Sequence, residues 1–242
     1  MIAAGVVLAL ALAAYGYFFR GDFGRLSVLV TERPIGWRRQ RYRLWIAKSW
    51  LLFAAPSVVG LAVLGHLGAV ITMPDAFLPL ARSAGYPAPI FSAELAVGLI
   101  AGSLIGAIWT LLRRRKGKLP AMLGDFSALL PRAGEAWLAA GSAISAGITE
   151  ELYFRLLLPL VVARLTGSAL AGFALTTLLF ALAHRYQRWP GVVATGLIGV
   201  LFAYLYLQTG ALWVAIVAHV AIDLNGLLLR PALAGMLRRP MQ

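Results

Sequence analysis

The chain has 242 residues, 61% of them hydrophobic, and 22 Lys and Arg against 9 Asp and Glu give a net charge of +13; its mean hydropathy is +0.82. A soluble globular domain is about 45–50% apolar, so this composition excludes one and fits a polytopic membrane protein. The absence of cysteine removes disulfides and thiolate chemistry, and the positive charge reads as the positive-inside rule with contact to anionic lipid, not nucleic-acid binding, for which no motif accompanies it.

Apolar periodicity and length predict an all-α polytopic bundle of about seven transmembrane helices. The first covers about Ala3–Phe19 and is expected to be retained, because Met1–Phe19 lacks the basic start and cleavage site of a signal peptide. A basic stretch follows from Arg20 to Arg43, with Trp37 and Trp45 as interfacial markers. The second helix is expected over Ser49–Ile71, with His66 at its interfacial end, then a proline-rich connection, Thr72–Ser92. The third covers Glu94–Leu112 and ends in a run of arginines and lysines; residues Leu119–Glu135 read as an amphipathic interfacial segment. The fourth to seventh helices are expected over Ala136–Ala163, Ser168–His184, Gly191–Leu207 and Leu212–Leu229.

Basic loops follow helices 1, 3, 5 and 7, and the loops between are nearly uncharged. This alternation predicts an N-out, C-in topology. The chain divides into 1–135, with helices 1–3 and their basic and interfacial loops; 136–229, with helices 4–7; and a basic cytoplasmic tail, 230–242.

Charged groups are costly at membrane depth and mark functional sites by default. Glu150, Glu151, Arg155, His184, His219, Asp223 and Asn225 fall inside the apolar helices. Glu151 and Arg155 are four residues apart and share a helix face, whereas Glu150 is turned about 100° away. The arginine can therefore neutralise Glu151 and leave Glu150 facing elsewhere for proton transfer. An ion-paired knot that only locks helices together is the competing reading. His219 and Asp223 are also four apart, so the carboxylate can orient the ring or join it in holding a metal or water. Asn225 lies on a different face and is given less weight. On the inferred topology Glu150, His184, His219 and Asp223 can converge in the cytoplasmic half of the membrane, with His219 and Asp223 about 10–16 Å from a helix end at about 1.5 Å per residue.

Glu150-Glu151-x-x-x-Arg155, Phe180-x-x-x-His184 and His219-x-x-x-Asp223, in that order, resemble the motifs of the CAAX protease and bacteriocin-processing family (CPBP, or Abi), which includes the type II CAAX prenyl endopeptidases. The resemblance covers about Ala136–Leu229, making 136–229 the CPBP-like core. It implies an intramembrane endopeptidase acting on a membrane-associated or lipid-modified protein or peptide in a multi-pass cell-membrane setting. Carried over residue by residue, it implies that Glu150 activates water, that His184 holds that water or donates a proton, and that His219 and Asp223 complete the site where the family stabilises the oxyanion. Glu151 and Arg155 are implied as structural support. Asp223 stands where the type II enzymes have asparagine, and an ionised aspartate would repel an oxyanion. Two mechanisms stay open: a metal-free glutamate mechanism, and one in which His184, His219 and Asp223 hold a divalent ion, zinc being the natural choice. No cofactor is firmly implied. The competing functions are a non-catalytic scaffold or immunity-type protein, and a proton-coupled transporter, which would carry the internal repeat that this sequence lacks.

Overall fold

The computed structural model describes residues 1–19, 35–90, 93–116, 130–132 and 134–238. Every regular element among them is helical, and this is a helical membrane protein. In chain order they are α1 (Ile2–Phe19), α2 (Ile35–Ser49), α3 (Ala55–Val63), α4 (Leu78–Ser83), α5 (Ala93–Arg114), α6 (Ala136–Glu151), α7 (Leu158–Thr166), α8 (Ala169–Ala183), α9 (Arg188–Thr209), α10 (Leu212–Leu224) and α11 (Arg230–Leu233).

Three π-helical segments join pairs of these into longer rods: Trp50–Ala54 between α2 and α3, Leu152–Leu157 between α6 and α7, and Asn225–Leu229 between α10 and α11. Each is followed by a proline near the start of the next α-helix, at Pro56, Pro159 and Pro231. A proline has no N–H to give the carbonyl four residues back, and its ring clashes there. Those carbonyls belong to Leu52, Arg155 and Leu227, each inside a π segment. Widening the turn ahead of the proline absorbs the misfit without breaking the rod.

Three described helices are long and apolar enough to cross a bilayer: Arg38–Val63, Arg185–Thr209 and Leu212–Leu233. Ile2–Phe18 and Ala169–Ala183 are apolar but shorter. Fifteen residues rise only about 23 Å at about 1.5 Å each, against a hydrocarbon core of about 30 Å. The α6–α7 rod carries Glu150, Glu151, Arg155 and Arg164, which interrupt its apolar run. Outward-facing Leu51, Val59, Ile105, Trp109, Val193 and Leu197 are exposed, as side chains facing lipid must be, because burial against lipid needs no protein partner.

The second span differs from its sequence reading. It begins at Ile35 rather than Ser49, so the described part of the arginine-rich stretch, Arg38 to Arg43, is helical and runs unbroken into the membrane-length rod; Arg20, Arg25 and Arg33 lie outside the described residues. α3 then stops at Val63, and only a short 3-10 turn, Leu67–Val70, follows His66. Arg38 is not a loop charge. It is 4% exposed and its guanidinium grips Glu135, with Nη2 3.1 Å from Oε2 and Nε 3.1 Å from Oε1. Arg38 Nη2 also donates to the Leu130 carbonyl at 2.8 Å, and the Arg132 N–H donates to Glu135 at 2.9 Å. A charge this deep persists only when paired and hydrogen-bonded, and this pair pins the start of α6 to α2. Most of the expected interfacial segment Leu119–Glu135 lies outside the described residues; Glu135 itself is fully buried.

α6 and α7 sit at the centre, with α6 packed on α2 and α10 and α7 packed on α1 and α8. Tyr153 Oη donates to the Ala11 carbonyl at 2.6 Å, and Tyr15 Oη to the Leu179 carbonyl at 2.8 Å, which ties α1 to the motif-bearing helices. Phe53 meets the rings of Tyr153 at 4.9 Å and Phe154 at 5.6 Å. α8 starts at Ser168, whose hydroxyl accepts from the Ala171 N–H at 3.1 Å, as an N-cap should. Gly172 touches the backbone of Pro159, since a Cβ there would stand 2.6 Å from the Pro159 carbonyl oxygen. That close approach seats Phe180 and His184 at the far end of α8 beside the α6–α7 rod.

Candidate active site

One oxygen of Glu151, Oε1, takes two partners. Arg155 Nη1 lies 3.1 Å away, the ion pair expected from their spacing, and His219 Nδ1 lies 2.7 Å away. The second contact spans 68 positions of sequence and could not be read from spacing. It locks α10 to α6. Glu151 is 0% exposed and Arg155 1%. The guanidinium lies over the Phe180 ring at 3.9 Å from its centroid, with Phe202 at 5.4 Å, and Nη2 donates to the Gly199 carbonyl at 3.4 Å. Two aromatic faces thus take much of what water would give the cation. Gly199 permits this: a Cβ there would meet Phe180 at 3.0 Å and Arg155 at 3.2 Å.

His219 is 4% exposed. Its ring is stacked on Phe202 at 4.8 Å and 20° and stands edge-on to Phe180 at 5.9 Å. With Nδ1 held by Glu151, Nε2 faces Asp223 Oδ2 at 3.7 Å. This is longer than a hydrogen bond, so Glu151 and not Asp223 fixes the ring. The Asp223 side chain is 33% exposed.

His184 caps α8, and its Nδ1 lies 2.9 Å from the Phe180 carbonyl. A carbonyl oxygen can only accept, so Nδ1 carries the hydrogen and the neutral ring presents its lone pair at Nε2. The chain then turns through Arg185–Gln187 into α9. At the junction Arg188 adopts φ 65° and ψ 175°, a conformation that costs a non-glycine residue about 1–3 kcal/mol. Gln187, 3% exposed, fixes this turn by donating from Nε2 to Tyr186 Oη at 3.1 Å and accepting from Thr195 Oγ1 at 3.4 Å.

Glu150, His184, His219 and Asp223 line one cavity of about 250 Å³ between the helices, with Tyr186 and Arg230 also in its wall. Glu150 Oε2 is buried and has no hydrogen-bond partner. A buried carboxylate oxygen without a partner beside an open cavity has an obvious occupant in water. Glu150 and Glu151 therefore do face different surroundings, as the turn of the helix requires. Among the described residues no three His, Asp or Glu side chains gather into a set that could hold a metal ion. His184, His219 and Asp223, the ligands of the metal-dependent reading, do not form one.

Sequence reasoning misses or underweights three features in or beside this wall. Tyr186 and Gln187 lie in a stretch that looks like a plain basic loop. Asn225, given little weight, is 9% exposed and accepts from Arg230 Nε at 2.8 Å, which holds that arginine beside the cavity. The Phe18 ring, from a half of the chain without motifs, also lines it.

Helices of membrane length, with a glutamate, two histidines and an aspartate on the wall of a cavity between them, define a helical membrane protein with a cluster of ionisable groups inside its bundle. Residues 132–225 match the family model described as type II CAAX prenyl endopeptidase Rce1-like, so the motif-bearing segment is similar to that family. No curated protein and no solved structure matches the chain.

Proposed function

We propose that this protein is an intramembrane CAAX-type endopeptidase that hydrolyses a peptide bond near the end of a membrane-anchored or lipid-modified protein, with Glu150 activating the attacking water. The observation that carries this reading is the convergence of Glu150, His184, His219 and Asp223 on one cavity, with a Glu150 oxygen buried and unpartnered.

In this scheme Glu150 takes a proton from water held between it and His184 Nε2. The water oxygen bonds to the peptide carbonyl carbon while the carbonyl π electrons move onto oxygen. The tetrahedral oxyanion then collapses, the C–N bond breaks, and the departing nitrogen receives a proton from His219 Nε2 or from Glu150. Glu151 and Arg155 act through His219, which they hold in one orientation. This scheme follows the glutamate mechanism and uses no metal. The arginine and lysine distribution supports a multi-pass cell-membrane protein, N-terminus out and C-terminus in, with the cavity in the cytoplasmic half.

C-terminal peptide profiling of membranes carrying the wild-type protein or Glu150→Gln tests the reading. Fragments released only by the wild type are expected. Identical profiles from two equally folded proteins would instead favour a scaffold without catalysis.

A further inference from the structure

The cavity wall carries two carboxylates, Glu150 and Asp223, and, among the described residues, one arginine, Arg230. A cation between membrane-length helices is costly and marks a functional position by default. The proposed hydrolysis makes no use of it, since water activation, ring orientation and proton return fall to Glu150, Glu151 and the two histidines.

Arg230 is held in place. Its Nε donates to Asn225 Oδ1 at 2.8 Å, and Asn225 is itself buried. The guanidinium also lies against Gly106 of α5, where a Cβ would collide with it. Its place along the wall is set by the rod that carries it. His219, Asp223 and Arg230 follow one another at steps of four and seven residues, and all three line the cavity. The Arg230 backbone therefore stands about 10 Å beyond that of Asp223, at about 1.5 Å per residue. An extended peptide advances about 3.3 Å per residue, so the wall from His219 to Arg230 is a few substrate residues long.

We infer that Arg230 is a specificity-determining residue that binds the free C-terminal carboxylate of the substrate, and that Asn225 is the positioning residue that holds its guanidinium for this contact. The inference rests on the proposed hydrolysis and adds where the cut falls: a chain end seated on Arg230 leaves a bond a few residues upstream beside Glu150 and His219. A guanidinium suits the task because its planar fork matches the two oxygens of a carboxylate. An ionised chain end drawn between these helices loses water, and a fixed cation offsets that loss. An amidated end or an internal apolar stretch of chain brings no such anion.

The test uses the full chain in phosphatidylcholine vesicles, which carry no net charge. Two farnesylated peptides ending in Cys-aliphatic-aliphatic-X carry the same fluorophore–quencher pair; one has a free terminal carboxylate and the other a terminal carboxamide. The readout is the ratio of kcat/KM for the acid over the amide. A merely structural change lowers both values alike and leaves the ratio where it was. The wild type is expected to favour the acid about 10–100-fold, the usual range for a charge-assisted hydrogen-bonded contact. Arg230→Met is expected to bring the ratio to within about twofold of one, as a cycle that removes both partners requires. Arg230→Lys, which keeps the charge without the fork, should give an intermediate ratio, and Asn225→Leu should lower it about three- to tenfold. A wild-type ratio near one, or a wild-type ratio kept in Arg230→Met, overturns the role of Arg230, while an inactive Glu150→Gln leaves the protease reading standing. An inactive wild type, or an active Glu150→Gln, overturns both. Should Arg230→Met fail to fold, an unchanged ratio in Asn225→Leu overturns the inference.

Discussion

Replacing Arg155 with methionine keeps the length of the side chain and removes the charge. Three interactions are lost together: the ion pair to Glu151 at 3.1 Å, the contact with the Phe180 face at 3.9 Å and the hydrogen bond to Gly199. Glu151 stays behind at 0% exposure, with Oε2 unpartnered and only His219 on Oε1. Removing one member of a buried pair costs about 3–5 kcal/mol, mostly from the stranded charge. Glu151→Gln should cost a similar amount by stranding Arg155. The double variant Glu151→Gln/Arg155→Met strands nothing, and the Gln carbonyl can still accept from His219 Nδ1. It should therefore be cheaper than either single change, about 1–2 kcal/mol for the lost hydrogen bonds, so the sum of the singles overshoots by several kcal/mol. Unfolding in detergent, by denaturant titration or by the thermal midpoint, measures all three. Additivity within about 0.5 kcal/mol would refute the reasoning, since that is how independent sites behave.

Gly147→Ala places a Cβ 2.5 Å from Val220 Cγ2 and 3.2 Å from the Val220 nitrogen, so α6 and α10 must part; a loss of about 1–3 kcal/mol in detergent unfolding is expected, with falling activity as the Glu151–His219 contact one turn away lengthens. Asp223→Asn should keep activity within about tenfold, because Glu151 still holds His219 and an amide oxygen still faces Nε2; a loss as large as that of Glu150→Gln in the peptide assay would show that the Asp223 charge itself is used.

The elements that run on apolar periodicity are legible in the sequence: α8, α9 and α10 fall within a few residues of where hydropathy puts them, because lipid demands long apolar runs. The pairing of Glu151 with Arg155 is legible because it is fixed by the helix repeat alone. The link from Glu151 to His219 is not, since it depends on how α6 and α10 cross, and that crossing is set by Gly147 against Val220. Arg38 is misleading because a positive residue near an apolar run is normally a solvated flank; only its partner, Glu135, 97 residues on, distinguishes it. The π segments do leave a trace in Pro56, Pro159 and Pro231, each lying near the start of an α-helix that follows a widened turn. Tyr186 leaves none, because a tyrosine beside arginines looks the same at a lipid interface as at a cavity wall.

The adjacent glutamates show why the motif needs both positions. Glu151, fully buried and bound to Arg155 and His219, does not line the cavity, whereas Glu150 does. Placing two on one helix with about 100° between them gives one to the packed interior and one to the cavity. Arg155 makes the interior one tolerable, and the faces of Phe180 and Phe202 make Arg155 tolerable in turn. Phe180 belongs to the same helix that ends in His184, and Phe202 is the ring on which His219 lies. The aromatic shell of the arginine is thus also what positions both histidines. The neutralising group and the site are consequently one structure, and a change that frees the arginine must also loosen the two rings that face the cavity.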